Sequence, residues 1–294
     1  MPELTNAPTQ APDLGAASAP EPERMRLHPT HGFSRVLAPR ELWRYREVAV
    51  QIAVRDVTVR YRQTLLGAAW AVLQPVLTMV VFTVIFGHLA HVPSEGKAYA
   101  VFSLAGLVPW TFFANALTLG SDSLTSNSAL VSKTYFPRIF IPAGVLFAGL
   151  VDLAISFVVL MVVVIATGND VSIRLVILPG LTVIAFAAGL GVASALAAVN
   201  VRFRDVKYVV PFYVQLWLFL TPIAYPITLL SSPWRTLAAI NPMVGVVEGF
   251  RWAVLGTANS PWALIGISAV SATLVLAAGL AYFDRVERSF ADLM

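Results

Sequence analysis

The chain has 294 residues, of which 57% are hydrophobic and only 12% charged, about half the roughly 25% of an ordinary soluble domain. Mean hydropathy is +0.75, and the apolar residues come in runs of about 20, long enough to cross a hydrocarbon core as helices. This excludes a soluble α/β enzyme. It also assigns the net charge of +4 to loops beside a membrane rather than to nucleic acid, and the lack of cysteine excludes disulfides, thiol chemistry and Cys-ligated metal.

Residues 1–38 are rich in Pro, Ala and acids, with no apolar stretch of signal-peptide length. They read as a disordered cytoplasmic tail, which leaves the first apolar span to act as an uncleaved anchor. Residues 39–62 read as an amphipathic helix. Tyr45, Val48, Ile52 and Val59 share one face, and Arg44, Gln51, Arg55 and Arg62 another. Too charged to cross, this helix is expected to lie along the inner membrane surface.

The expected spans are 65–90, 99–119, 139–167, 173–199, 209–230 and 261–283, inside a six-span domain covering 63–284, with a cytoplasmic tail over 285–294. A polar stretch, 120–138, separates the second span from the third. Residues 231–261 are too polar to cross, carrying Arg235, Glu248 and Arg251, yet too apolar for a loop in water. Asn241–Pro242 reads as a cap followed by proline at the first helical position, and Met243, Val246, Val247, Phe250 and Val254 then form an apolar face. Two short re-entrant helices in the outer leaflet fit this pattern; a helix lying on the membrane surface is the alternative. The fold class is therefore an all-α integral membrane protein with six spans.

Orientation follows from the basic residues. With the amino terminus inside, 16 of the 20 Lys and Arg fall on the cytoplasmic side, and only Lys97, Arg174, Arg235 and Arg251 fall outside. Both termini are expected in the cytoplasm and the protein in the cytoplasmic (inner) membrane. In the fourth span Ala185, Gly189, Ala193 and Ala197 recur at four-residue steps, a row that lets helices approach closely. Pro75, Pro142, Pro211 and Pro222 sit in or beside spans, where they can bend helices.

Motifs for chemistry are absent. The sole Gly-Lys pair, Gly96–Lys97, is followed by Ala and has no phosphate loop around it. There is no H-E-x-x-H, and Gly266-Ile-Ser268-Ala-Val fails as a nucleophile elbow. The pairs His28/His31 and His88/His91 have metal-ligand spacing, but Pro29 breaks the first and the second has only Glu95 near it. No metal, cofactor or catalytic residue is expected, and the chain is read as a non-enzyme. Asp152 is the one carboxylate deep in a span. It is either a structural partner of Ser156 or a neighbouring helix, or the proton site of a secondary transporter.

Aromatic residues make up 11%. Tyr208, Phe212 and Phe219 share a face of the fifth span, with Tyr213 and Trp217 beside it; Trp70, Phe82, Phe86, Trp110, Phe112 and Phe113 belong to the first two. Spacing alone fits an interfacial belt with lipid-facing Phe. The alternative is a channel wall on which sugar rings stack.

The stretch Arg60-Tyr-Arg-Gln-Thr-Leu-Leu-Gly-Ala-Ala-Trp70-Ala-Val-Leu-Gln-Pro75 closely resembles the signature that opens type-2 ABC exporter permeases, above all those for O-antigen, capsular polysaccharide or teichoic acid. Leu130-Val-Ser-Lys-Thr-Tyr-Phe-Pro137-Arg138 and Asn200-Val-Arg-Phe-Arg204-Asp205 agree in register, so the resemblance covers about residues 40–288. It implies a homodimer of six-span chains with two copies of a separate ATPase docked beneath, which would hold ATP and magnesium. It further implies that the cargo is a lipid-linked polysaccharide, with membrane lipids around the pore. Under this resemblance Arg44, Gln51, Arg55, Arg60, Arg62, Lys133, Arg138, Arg202, Arg204 and Asp205 would couple the chain to the ATPase. Trp70, Phe82, Phe86, Trp110, Phe113, Tyr208, Phe212, Trp217 and Phe219 would line the channel. Other readings kept open are a drug or small-lipid exporter permease and a proton-coupled carrier using Asp152.

Overall fold

The computed structural model describes residues 43, 45–62, 69–133, 136–257 and 260–287. All of them belong to a unit spanning Phe33–Met294. The expected tail over 1–38, Arg44, residues 288–294 and the side chains of Arg62 and Lys133 lie outside the described residues.

No strand occurs among the described residues. In chain order the helices are α1 Arg46–Arg62, α2 Ala69–Phe82 continued by a π-helix Thr83–Leu89, α3 Tyr99–Ser126, α4 Ser128–Lys133, α5 Phe140–Ala166, α6 Leu178–Arg202 entered through a 3₁₀ turn Ile173–Ile177, α7 Val206–Leu220, α8 Ser232–Ala238, α9 Pro242–Leu255 and α10 Trp262–Glu287. Five helical stretches are long and apolar enough to cross a bilayer: Ala69–Leu89, Tyr99–Ser126, Phe140–Ala166, Ile173–Arg202 and Trp262–Glu287. The sixth apolar helix, α7, has only 15 residues, about 22 Å of helix against a core of roughly 30 Å.

The span expected over 209–230 thus stops ten residues early, and proline is the reason. Thr221 precedes Pro222 and is extended (φ −93°, ψ 133°), as a residue before proline is driven to be. The chain then crosses residues 221–226 without helix. Bare backbone at membrane depth is tolerated only under a protein cover, and α9 supplies that cover, as described below.

The polar stretch expected to begin at 120 does not end the second span. Ser121 and Ser123 donate to Thr118 O and Gly120 O of the preceding turn (2.9 and 2.7 Å). Their hydroxyls are therefore satisfied inside the helix, and α3 runs on to Ser126. Burial separates this span from its neighbour: 78% of the most apolar stretch of α3 is buried, against 11% for the first span. α3 is the central post and α2 is peripheral.

The small-residue row of α6 packs as expected. Gly189 faces Ala116 of α3, where an added Cβ would lie 3.3 Å from the alanine methyl, and Ala193 sits against Gly120. The opposite side of α6 makes a second close approach. A Cβ at Gly191 would fall 2.6 Å from the Cα of Leu276 on α10, and one at Gly279 would collide with the Gly191 carbonyl oxygen.

The two short helices before the last span are α8 and α9. Asn241 caps α9, its side chain accepting from the Met243 N–H at 3.1 Å, with Pro242 at the helix start. The predicted apolar residues of α9 are all buried, and so are Glu248 and Arg251 on its other sides. A helix buried all round does not lie on a membrane surface, so that alternative falls. Ser268 is buried on α10, accepting from Gly245 N–H at 2.9 Å; it joins two helices and is no exposed nucleophile.

Candidate coupling tie, buried clamp and aromatic face

Helix α1 packs one side against α5 and leaves the other exposed. Ile52 is buried against Gly144 of α5, where an added Cβ would lie 2.6 Å from Ile52 Cγ2, with Asp56 alongside. Eight residues further on in both helices, Arg60 and Tyr61 reach Asp152. The two helices therefore run side by side in the same direction for about 12 Å. Glycine permits the close approach, and Asp152 gives the arginine a partner. Val59, expected on the packed face, is 56% exposed. The packed row steps instead through Tyr45, Val48, Ile52, Asp56 and Arg60, with Ile52 buried and the others half-buried, because a 3.6-residue helix drifts off a seven-residue repeat.

Asp152 accepts from Arg60 through Oδ2 and from the Tyr61 hydroxyl through Oδ1. Ser156, one turn on, is not its partner in this arrangement. Burial first, and then the bond to Asp152, pushes the Tyr61 phenol up to about 12. A cleft of about 330 Å³ opens beside the tie, walled by Trp70, Gln74, Pro75, Asn115 and Ser156. Arg55 turns back onto Asp56 of its own helix (2.8 Å), and Gln51 is exposed.

Arg138 donates to the Glu287 carbonyl (3.1 Å) and lies 4.0 Å from that residue's carboxylate, tying the entry of α5 to the end of α10. Arg202, Arg204 and Asp205 are exposed at the α6–α7 turn; Arg202 stacks over Phe203 at 5.3 Å. Of the residues expected to couple, then, Arg60, Arg55 and Arg138 have protein partners. Gln51, Arg202, Arg204 and Asp205 face outward.

The expected channel aromatics separate into three groups. Tyr208, Phe212 and Phe219 of α7 are exposed, as is Trp70 of α2. Phe82 and Phe86 are half-buried, their rings 5.2 Å apart. Trp110 and Phe113 are buried in the interior at 2% and 0% exposure, and Phe113 meets the half-buried Trp217 edge-to-face at 5.2 Å. The α3 residues thus serve packing inside one chain, because α3 is enclosed by its neighbours. Of the expected channel rings, those left with an open face are Trp70 of α2 and Tyr208, Phe212 and Phe219 of α7.

A polar site that sequence reading missed lies under α9. Arg251 is fully buried. Its Nη1 donates to Pro222 O (2.6 Å) and Glu248 Oε1 (2.9 Å), and its Nη2 to Ile223 O (2.6 Å). The guanidinium carbon lies 3.7 Å from the centroid of the Phe102 ring. These are the carbonyls that the early end of α7 leaves bare, and Tyr99 adds a bond from its hydroxyl to Ala224 O at 2.6 Å. One charged side chain therefore clamps α3, α9 and the broken strand of chain after α7. The available signal was the Glu248/Arg251 pair, three residues apart on an otherwise apolar helix, with glycine at 106 opposite; an Arg251 nitrogen lies 3.1 Å from where a Cβ of Gly106 would be.

The sequence model described as "ABC-2 type transporter" matches residues 48–255, the stretch from α1 through α9. The chain belongs to that family. Relatives of this ABC-2 chain include the "O-antigen export system permease protein RfbA" of Myxococcus xanthus, 30% identical over 254 residues, 84% of this chain and 96% of that protein. A protein of the same name from Klebsiella pneumoniae is 28% identical over 84% of this chain and 95% of its own length. The "Polysialic acid transport protein KpsM" of Escherichia coli is 25% identical over 80% and 92% respectively.

Proposed function

We propose that this ABC-2 chain is the membrane-spanning permease subunit of an ATP-driven exporter that moves a lipid-linked polysaccharide across the inner membrane. The observation that carries this reading is the near full-length match to permeases named for O-antigen export. The exposed rings of Tyr208, Phe212, Phe219 and Trp70 support it: flat apolar faces offer stacking to any sugar ring and no hydrogen-bond lock to a particular one.

In this reading two copies pair through the exposed faces of α2 and α7, and two copies of a separate ATPase dock at the cytoplasmic end. With both termini inside, 16 of the 20 Lys and Arg fall on that side, which supports this orientation. Gln51, Arg202 and Asp205 meet the ATPase, and its closure on ATP is carried by α1 through the Arg60–Asp152 tie into α5. ATP and magnesium belong to the partner. Because Asp152 is already held by an arginine and a tyrosine, it serves the tie rather than carrying protons.

The test is export in cells lacking the chain. Supplying it with an intact partner ATPase should clear a lipid-linked glycan from the inner leaflet, while an ATPase unable to hydrolyse ATP should let the glycan accumulate. Export that continues with the disabled ATPase overturns the reading, and accumulation of a small lipid without a glycan replaces its cargo.

A further inference from the structure

Where α3 and α6 end and α7 begins, a cleft of about 380 Å³ is lined by Asp122, Thr125, Asn200, Arg204 and Lys207. Asn200 is fully buried. Its Nδ2 donates to Thr125 Oγ1 (3.1 Å) and Asp122 Oδ1 (3.3 Å), which fixes the amide's orientation: turned over, its oxygen would face a carboxylate. The amide oxygen is then buried with no hydrogen-bond partner, a costly state for an acceptor. At the rim, Arg204 and Lys207 are exposed, and neither makes an ion pair among the described residues.

Asp205 and Val206 of the same α6–α7 turn border an apolar groove of about 440 Å³, walled by Leu117, Val192, Leu196, Val209, Val210 and Tyr213. The polar cleft thus offers acceptors in its depth and cations at its rim, at the level where a span meets lipid headgroups, with an apolar groove next to it.

We infer that this cleft binds the headgroup of an amine-bearing phospholipid of the phosphoethanolamine class. The ammonium donates to Asn200 Oδ1 and the Asp122 carboxylate. The phosphate lies against Arg204 and Lys207, which offer charge-assisted bonds. An acyl chain runs into the groove. A quaternary choline headgroup has no N–H to give Asn200, and a glycerol headgroup has no charge to give Asp122, so the site selects the primary amine. The inference is independent of what the protein exports.

The purified full chain, with any partner that accompanies it, is stripped of lipid and offered phosphatidylethanolamine, phosphatidylcholine or phosphatidylglycerol of matched acyl chains, and retention is read by native mass spectrometry. Phosphatidylethanolamine should be retained about tenfold over phosphatidylcholine, the scale of one charge-assisted hydrogen bond. Asn200→Leu should abolish the preference. Since a buried change can unfold the chain, the exposed pair Arg204→Gln and Lys207→Gln provides a second arm, which should weaken retention of phosphatidylethanolamine and phosphatidylglycerol alike. Equal retention of the ethanolamine and choline lipids, preference for phosphatidylglycerol, or no effect of the rim variants overturns the proposal. Soluble phosphoethanolamine competing as well as the lipid would show a free phosphate ester to be the ligand, and overturns the lipid assignment.

Discussion

Arg60 and Asp152 join two helices that have no covalent reason to stay together. Their side chains are 25% and 21% exposed, so the pair is shielded without being dry. Removing one partner leaves a charge with poor solvation, and Asp152→Asn or Arg60→Gln should cost about 1–3 kcal/mol. The exchange Arg60→Asp with Asp152→Arg should recover part of that. A double-mutant cycle on thermal melting in detergent checks the coupling; additive single effects would remove the tie. Tyr61 gives the same site a pH signature. A phenol raised to about 12 adds stability that is full below its unfolded value of about 10 and is lost as pH climbs through 12. The stability gap between the native chain and Tyr61→Phe should therefore stay constant up to pH of about 10 and then close. A gap that varies near neutrality contradicts this placement.

Arg251 makes a heavier demand. It is wholly buried and Glu248 nearly so, and removing one member of such a pair strands the other. Arg251→Met should destabilise by about 3–5 kcal/mol and uncover the carbonyls of Pro222 and Ile223. Arg251→Met with Glu248→Gln should be milder than the single change, because no charge is left unpaired. Melting temperatures of the native chain and the two variants test this; a double variant as damaged as the single would mean that the carbonyl clamp, not the ion pair, dominates.

At the scale of elements, α6 is squeezed between α3 and α10. Both contacts depend on residues without bulk, since dispersion and close backbone approach hold helices together where lipid is as apolar as leucine. Gly279→Ala puts a methyl into the Gly191 carbonyl and must push α6 from α10, at a cost on the order of 1–3 kcal/mol. Gly266→Ala, with nothing within 4 Å on the same helix, should be neutral or slightly stabilising, since alanine favours helix. Comparing the two in one melting series separates helix packing from helix propensity. Helix α7 illustrates the opposite rule: it crosses only part of the bilayer by itself, and its unwound continuation persists because α9 covers it.

Across the whole molecule, apolar surface is distributed unevenly. α3 is enclosed, whereas α2 and α7 carry exposed rings. If the exposed face of α7 lines a pore between two copies, Phe212→Ala should slow glycan export several-fold with normal membrane levels. Val158→Ala, equally exposed on α5, should not. Equal effects, or none, would return the α7 rings to a lipid-facing belt.

Run lengths of apolar residues determined by themselves that this chain is a helical membrane protein, because only helices satisfy their backbone within one segment in lipid. The cap at Asn241–Pro242, the small-residue row of α6 and the family signature near Arg60 were likewise legible, being local patterns. The early end of α7 was written in Thr221–Pro222 but hidden by the apolar residues that follow, since hydropathy does not register a broken hydrogen-bond ladder. The partners of Asp152, and the carbonyls that Arg251 holds, could not be read at all. They lie 92 residues away in Arg60 and 29 away in the Pro222 carbonyl, and only packing brings them together. Which aromatic rings are buried and which remain open was settled the same way: a one-dimensional pattern gives each helix a face, and only the tertiary arrangement decides what that face meets.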